Sequence, residues 1–118
     1  MKVLIVDDSK VMRMMVGKAL QQAGYEVEII EANDGVEGIS KFEPSVQLVL
    51  SDWNMPNMNG LEFVKELRKI NKEVPVVMIT TEGSEDKISE AIQEGANGYV
   101  CKPFTPDKIK EQINSVMK

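Results

Sequence analysis

At 118 residues the chain has the size of one domain and leaves little room for a second, so a single domain over 1–118 is expected. With 42% hydrophobic and 28% charged residues it is neither disordered nor fibrous, and no apolar run approaches the length that spans a bilayer. Its 14 lysines and arginines against 19 acidic residues give a net charge of −5, which argues against nucleic acid, whose phosphates require clustered cations. The first apolar run, Val3–Val6, reads as a strand. Ser9 can then cap a helix with an apolar face of Met12, Met15, Val16, Ala19 and Leu20, and Gly24 fits its end. Val27–Ile30 predicts the second strand, and Val36, Ile39 and Phe42 the face of the second helix. The third strand is read at Leu48–Leu50, with Leu61, Val64, Leu67 and Ile70 marking the next helix. Val74–Ile79 follows as a strand, Ile88, Ala91 and Ile92 as a helix face, Tyr99–Cys101 as the last strand, and Ile109, Ile113 and Val116 as the last helix.

Helix starts support this alternation. Asp34 with Glu37, and Asn59 with Glu62, have the spacing of capping boxes, and Thr105-Pro106 reads as an N-cap followed by proline at the first helical position. Strand and helix alternate five times. The apolar runs are mostly continuous, as in strands covered on both faces, so the class is α/β with a parallel sheet.

In such a sheet the residues just after each strand share one edge, where ligands bind. Those positions hold Asp7 and Asp8 after the first strand, Asp52 after the third, Thr80 and Thr81 after the fourth and Lys102 after the fifth. Each alone has an ordinary reading as a cap, a strand end or a surface lysine, but together they make a site. Histidine is absent, which removes the usual neutral-pH base and the commonest transition-metal ligand. The lone Cys101 excludes an intramolecular disulfide and fits a reducing cytoplasm. Inside an apolar strand it reads as a buried small hydrophobe rather than a redox sensor. The opening MKVLIVDDSK turns acidic too soon for a signal peptide.

Two like charges about 4 Å apart repel by roughly 4 kcal/mol at an effective dielectric near 20. Three clustered aspartates therefore raise one another's pKa or recruit a cation, and all-oxygen donors select a hard one. Mg²⁺ suits one or two carboxylates, retained waters and phosphate oxygens. A carboxylate beside it can attack phosphorus to form an acyl phosphate, with Lys102 offsetting the repulsion and Thr80 donating to a phosphoryl oxygen after moving close.

The stretches VLIVDDS, EANDGVEG, SDWNMPNMNG, PVVMITTEG and GANGYVCKPF, spread over essentially the whole chain, resemble the receiver domains of bacterial two-component response regulators. SDWNMPNM is most similar to the chemotaxis branch. The resemblance implies a flavodoxin-like (βα)5 fold with strand order 2-1-3-4-5 and a site with Asp52 as phosphoacceptor. It implies Mg²⁺ on the side chains of Asp8 and Asp52 and the backbone carbonyl of Asn54, with Asp7 acting chiefly through water. Lys102 would contact the phosphoryl group, and Thr80 and Tyr99 would form a switch pair. The Lys102–Pro103 bond is commonly cis in the family. Asn54 and Glu82 occupy the positions that in the family adjust phosphate lifetime; the alternative reading of Asn54, ranked behind this one, is a cap for the turn before Pro56.

The expected function is a phosphorylation-dependent switch rather than a multiple-turnover enzyme, phosphorylated by a histidine kinase or acetyl phosphate and losing its phosphate by self-catalysed hydrolysis. The partner surface would lie around Ile88, Tyr99 and Lys108, with the flagellar motor switch as target by analogy. A phosphatase partner is compatible with this, as is a cytoplasmic monomer. The methionines of the first helix read mainly as core and groove filler. Two rivals fare worse. A flavin carrier needs a hydroxyl- and glycine-rich phosphate loop where VDDSK has carboxylates, and an aspartyl phosphatase carries D-x-D after the first strand and a cap domain.

Overall fold

Side chains alternate between the two faces of a strand, so a strand apolar at every position needs cover on both sides. β1 (Lys2–Val6) shows this: Val3 and Ile5 enter one buried cluster, Leu4 and Val6 the other. The same alternation separates Leu48 and Leu50 from Val49 in β3 (Leu48–Asp52), and Val77 and Ile79 from Val76 and Met78 in β4 (Val76–Thr80). A computed structural model gives the arrangement for residues 1–80 and 85–117. With β2 (Glu28–Ala32) and β5 (Gly98–Cys101), the strands form one parallel sheet in the order β2-β1-β3-β4-β5, as the family resemblance implied.

The helices are α1 (Lys10–Gln22), α2 (Gly35–Lys41), α3 (Gly60–Ile70), α4 (Glu85–Gln93) and α5 (Pro106–Val116). One face of the sheet is closed by Val16, Leu20, Ile109 and Ile113 of α1 and α5, the other chiefly by Phe63, Val64 and Leu67 of α3. Fully burying each such side chain contributes about 1.5–3 kcal/mol.

The caps read from the sequence are mostly realised. Ser9 accepts the Met12 N–H, Thr105 caps α5 with Pro106 behind it, and Gly24 follows the α1 cap with φ of 98°. Asn59 and Glu62 form a complete capping box. Asp34 accepts the Glu37 N–H, but Glu37 turns to the Asn33 N–H instead of completing the box.

Several boundaries shift for identifiable reasons. β4 starts at Val76 rather than Val74, because Pro75 has no N–H to donate to a ladder. β2 runs on through Glu31 to Ala32, since an edge strand leaves a charged residue free to face water. β3 continues through Ser51 to Asp52, which pairs with Ile79, so Asp52 ends the strand instead of following it. Met14 and Met15 are exposed rather than core, at 63% and 51%. α1 packs through Val16, Gly17, Ala19 and Leu20, with Ile29 close enough to Gly17 to crowd a Cβ there at 2.8 Å. Val36, Ile70 and Ile92 are likewise exposed, and Cys101 is half-buried at the end of β5.

Candidate functional site

Because all five strands are parallel, their C-terminal ends meet on one edge. Val6 pairs with Ser51, which sets the following residues, Asp7 and Asp52, side by side across the strand order's turning point. One carboxylate oxygen each from Asp7, Asp8 and Asp52 lies within 4.8 Å of the others. Asp7 and Asp52 are buried, and Asp8 is exposed at the mouth. From β5 the Lys102 Nζ reaches back to 3.2 Å from Oδ1 of Asp52 and 3.6 Å from Oδ2 of Asp7. Its backbone N–H donates to the Thr80 carbonyl at 2.7 Å, and the Lys102–Pro103 peptide is cis.

The hydrogen bonds divide the oxygens. Oδ1 of Asp7 accepts the Ser9 N–H at 2.8 Å. Oδ1 of Asp52 accepts from the Trp53 N–H at 2.9 Å and from Lys102. Oδ2 of Asp52 takes no hydrogen bond among the described residues, where every fully buried side-chain polar atom has a partner. Of the two oxygens of this carboxylate, Oδ2 is thus the one left without a protein donor among the described residues.

Burial, reinforced by the charges of Asp52 and Asp8, pushes the Asp7 carboxyl above its ordinary value of 3.8, against the pull of the Ser9 N–H and Lys102. A carboxyl raised by folding binds more protons in the folded than in the unfolded state. Metal-free stability therefore gains from Asp7 as the pH falls through its raised value toward 3.8, and loses that gain as the pH rises. The difference in unfolding free energy between the metal-free wild type and Asp7→Asn, taken from urea unfolding, is expected to grow in the wild type's favour on acidification. A difference independent of pH would contradict the assignment.

Three carboxylates and one ammonium leave the pocket with two negative charges when all are ionised. An all-oxygen donor set of this span and charge fits Mg²⁺, which takes oxygen ligands at about 2.0–2.1 Å and keeps several waters. Asn54 lies two residues beyond Asp52 on an exposed loop. Thr80 is buried at the end of β4, whereas Tyr99 is 38% exposed. Both line a pocket of about 10 Å³ with Trp53, Met78 and Ile88, room for one water and not for a phenol ring. Glu82 lies outside the described residues.

Two supporting residues were not singled out for the site from the sequence. Arg13, one turn into α1, donates from Nη1 to the Asp7 carbonyl and from Nε to Glu31. Nothing distinguishes it from any other helical arginine until the strands are placed. Gly60 is the second: a Cβ there would run into the Asp52 carbonyl oxygen and lie 2.9 Å from Trp53 Cα. Gly60→Ala is expected to cost about 1–3 kcal/mol in urea unfolding, the usual range for overpacking. An unchanged midpoint would contradict this packing.

The sequence profile of the response regulator receiver domain matches residues 3–114. Chemotaxis protein CheY1 of Helicobacter pylori is 44% identical over 99% of this chain and 97% of its own length. The chemotaxis protein CheY homolog of Campylobacter jejuni is 42% identical over 99% and 92%. Among solved structures, the Vibrio cholerae chemotaxis protein CheY4 superposes with a TM-score of 0.86 at 44% identity, covering 98% of this chain and 97% of that one. The CheX–CheY–BeF3–Mg complex of Borrelia burgdorferi is also similar, with a TM-score of 0.92 at 28% identity over 99% and 89%. The acidic cluster at the strand ends, the strand order and these likenesses agree: the chain belongs to the response regulator receiver domain family.

Proposed function

We propose that the chain is a phosphorylation-dependent signalling switch whose Asp52 accepts a phosphoryl group from the phosphohistidine of a chemotaxis-type histidine kinase, or from acetyl phosphate. The observation that carries this reading is the Asp52 carboxylate itself: one of its oxygens lies within 4.8 Å of one each from Asp7 and Asp8, the Lys102 ammonium sits 3.2 Å from Oδ1, and Oδ2 takes no hydrogen bond among the described residues. Oδ2 attacks phosphorus in line. A P–O bond forms as the donor's P–N bond breaks, and the imidazole leaves with that electron pair and takes up a proton. Asp8, Asp52 and the Asn54 carbonyl would hold Mg²⁺, with Asp7 acting through water, and the ion would supply charge neutralisation at the phosphoryl oxygens. A CheY carrying BeF3 and Mg in a similar fold supports that choice of ion.

Lys102 then turns from Oδ1 of Asp52 to a phosphoryl oxygen, and the Thr80 hydroxyl moves in to donate to another. The space Thr80 leaves enlarges the small pocket behind it, and Tyr99 turns inward. The altered surface of α4, β5 and α5, around Ile88, Tyr99 and Lys108, engages a downstream protein, the flagellar motor switch in a chemotaxis pathway. Water later attacks phosphorus and the Asp52 carboxylate leaves, with Asn54 and Glu82 controlling the water's approach. Each cycle begins and ends on the protein's own side chain, so the domain is a switch rather than a multiple-turnover enzyme. A cytoplasmic monomer suits this role, and no helix among the described residues is long and apolar enough to cross a membrane. Acetyl phosphate with Mg²⁺ is expected to add the mass of one phosphate to the intact protein, and no such gain is expected with EDTA. No gain in either condition would contradict the reading.

A further inference from the structure

The loop from Trp53 to Asn59 leaves β3 beside the acidic cluster and is tied at base and tip. At the base the Gly60 N–H donates to the Trp53 carbonyl at 2.8 Å. At the tip the Met58 N–H closes on the Pro56 carbonyl at 2.7 Å, a γ-turn centred on Asn57. Asn57 has a φ of 66°, the one positive value at a non-glycine residue among the described residues. A γ-turn of that sign is the rare, strained form, and it persists where its surroundings hold it.

Those surroundings are the start of α2. The Asn57 Nδ2 donates to Oδ2 of Asp34 at 2.8 Å, while Oδ1 of the same carboxylate accepts the Glu37 N–H, also at 2.8 Å. The Glu37 N–H and then Asn57 hold the Asp34 carboxyl below its ordinary range, so it stays ionised at neutral pH. The Gly35 N–H donates to the Met58 carbonyl at 3.3 Å, and the Met58 Cγ lies 2.7 Å from where a Cβ on Gly35 would sit. Two residues before Asp34, the Ala32 carbonyl accepts the Asp7 N–H at 3.0 Å. The chain thus closes a ring: Asp7 to Ala32, on to Asp34, across to Asn57, and back through Asn54 to Asp52.

We propose that Asp34 is a positioning residue for the metal site, its carboxylate clasping Asn57 so that the loop bearing Asn54 is held in register with Asp7, Asp8 and Asp52 before the ion arrives. The proposal rests on the Mg²⁺ reading above. Outer groups that fix a ligand's orientation commonly govern metal affinity while leaving the ligands themselves in place. Asp34 uses both oxygens, one for the helix cap and one for the loop, which makes the two roles separable. Serine caps a helix about as well as aspartate but has no second oxygen for Asn57.

The test titrates Mg²⁺ into the full chain, reads Kd from Trp53 fluorescence, and then measures phosphoryl uptake from acetyl phosphate at saturating Mg²⁺. Asp34→Ser is expected to weaken Mg²⁺ binding by about tenfold, the low end for lost outer support. Its melting temperature without metal should stay near that of the wild type, and its uptake should recover once Mg²⁺ saturates. Asn57→Gly, which accepts the positive φ without strain, should weaken binding similarly, and the double variant should be no weaker than either single one. Wild-type Mg²⁺ affinity in Asp34→Ser, with or without a lower melting temperature, would reduce Asp34 to a helix cap and overturn the clasp. Additive losses in the double variant would also overturn it. A wild type that binds no Mg²⁺ would overturn both this proposal and the function on which it rests.

Discussion

Asp52→Asn is expected to take up no phosphoryl group from acetyl phosphate, yet to melt higher than the wild type when Mg²⁺ is withheld. The two effects share one cause. On the proposed function Oδ2 attacks phosphorus, and an amide in its place offers neither the charge nor the lone-pair basicity of a carboxylate, so uptake falls below detection. The same carboxylate is a buried anion near two others, offset within the cluster by Lys102 at 3.2 Å. Neutralising it removes two repulsions and one attraction, a net gain on the order of 1 kcal/mol at an effective dielectric near 20. For a chain of this size that is a rise of a few degrees. Function and metal-free stability thus move in opposite directions, as they do where a protein holds like charges together for use. Phosphoryl uptake by Asp52→Asn, measured by intact mass, would move the acceptor elsewhere. A lower melting temperature would show that the Lys102 pair outweighs the repulsion.

The largest loss of stability is expected from Phe63→Ala, at about 3–5 kcal/mol by urea unfolding. Phe63 is fully buried and is first by volume among the fully buried side chains. Its ring edge sits under α2, where a Cβ on Gly38 would lie 2.8 Å from Cε1. Neither helix can close that gap without moving, so transfer and cavity costs both apply. Against a typical total of 5–15 kcal/mol the variant is left marginal. A loss under about 1 kcal/mol would mean that α2 and α3 collapse onto each other readily.

Phe63 also marks where sequence reading ran out. The spacing of Leu61, Val64, Leu67 and Ile70 predicts the apolar face of α3. In the fold Phe63 replaces Leu61 at the centre of the contact, and Ile70 faces water. Periodicity fixes that a helix has an apolar side, but the angle at which that side meets the sheet is tertiary. The same limit explains Met14 and Met15, which lie outside the stripe that Gly17 turns toward Ile29. The acidic cluster was legible for the opposite reason. A parallel sheet brings the ends of its strands to one edge whatever the helix angles, so Asp7, Asp8, Asp52, Thr80 and Lys102 could be grouped from strand order alone. What supports them was not legible. The Arg13 bond to the Asp7 carbonyl and the approach of Gly60 to Asp52 are close in sequence but depend on how each strand turns into its helix, and the Asp34–Asn57 contact joins two separate loops; no periodic pattern encodes any of them.

The claim on which the rest depends is that carboxylates at the sheet edge hold a divalent ion beside Asp52. Trp53 is placed to report it, since its N–H bonds Oδ1 of Asp52 and its buried ring lies 5.9 Å from the Lys87 ammonium. Titrating Mg²⁺ into the wild type and Asp8→Asn while following Trp53 fluorescence is the most direct test. A saturable change fitting one ion, weakened tenfold or more in Asp8→Asn, is expected. No saturable change in the wild type, or the same affinity in both proteins, would contradict it.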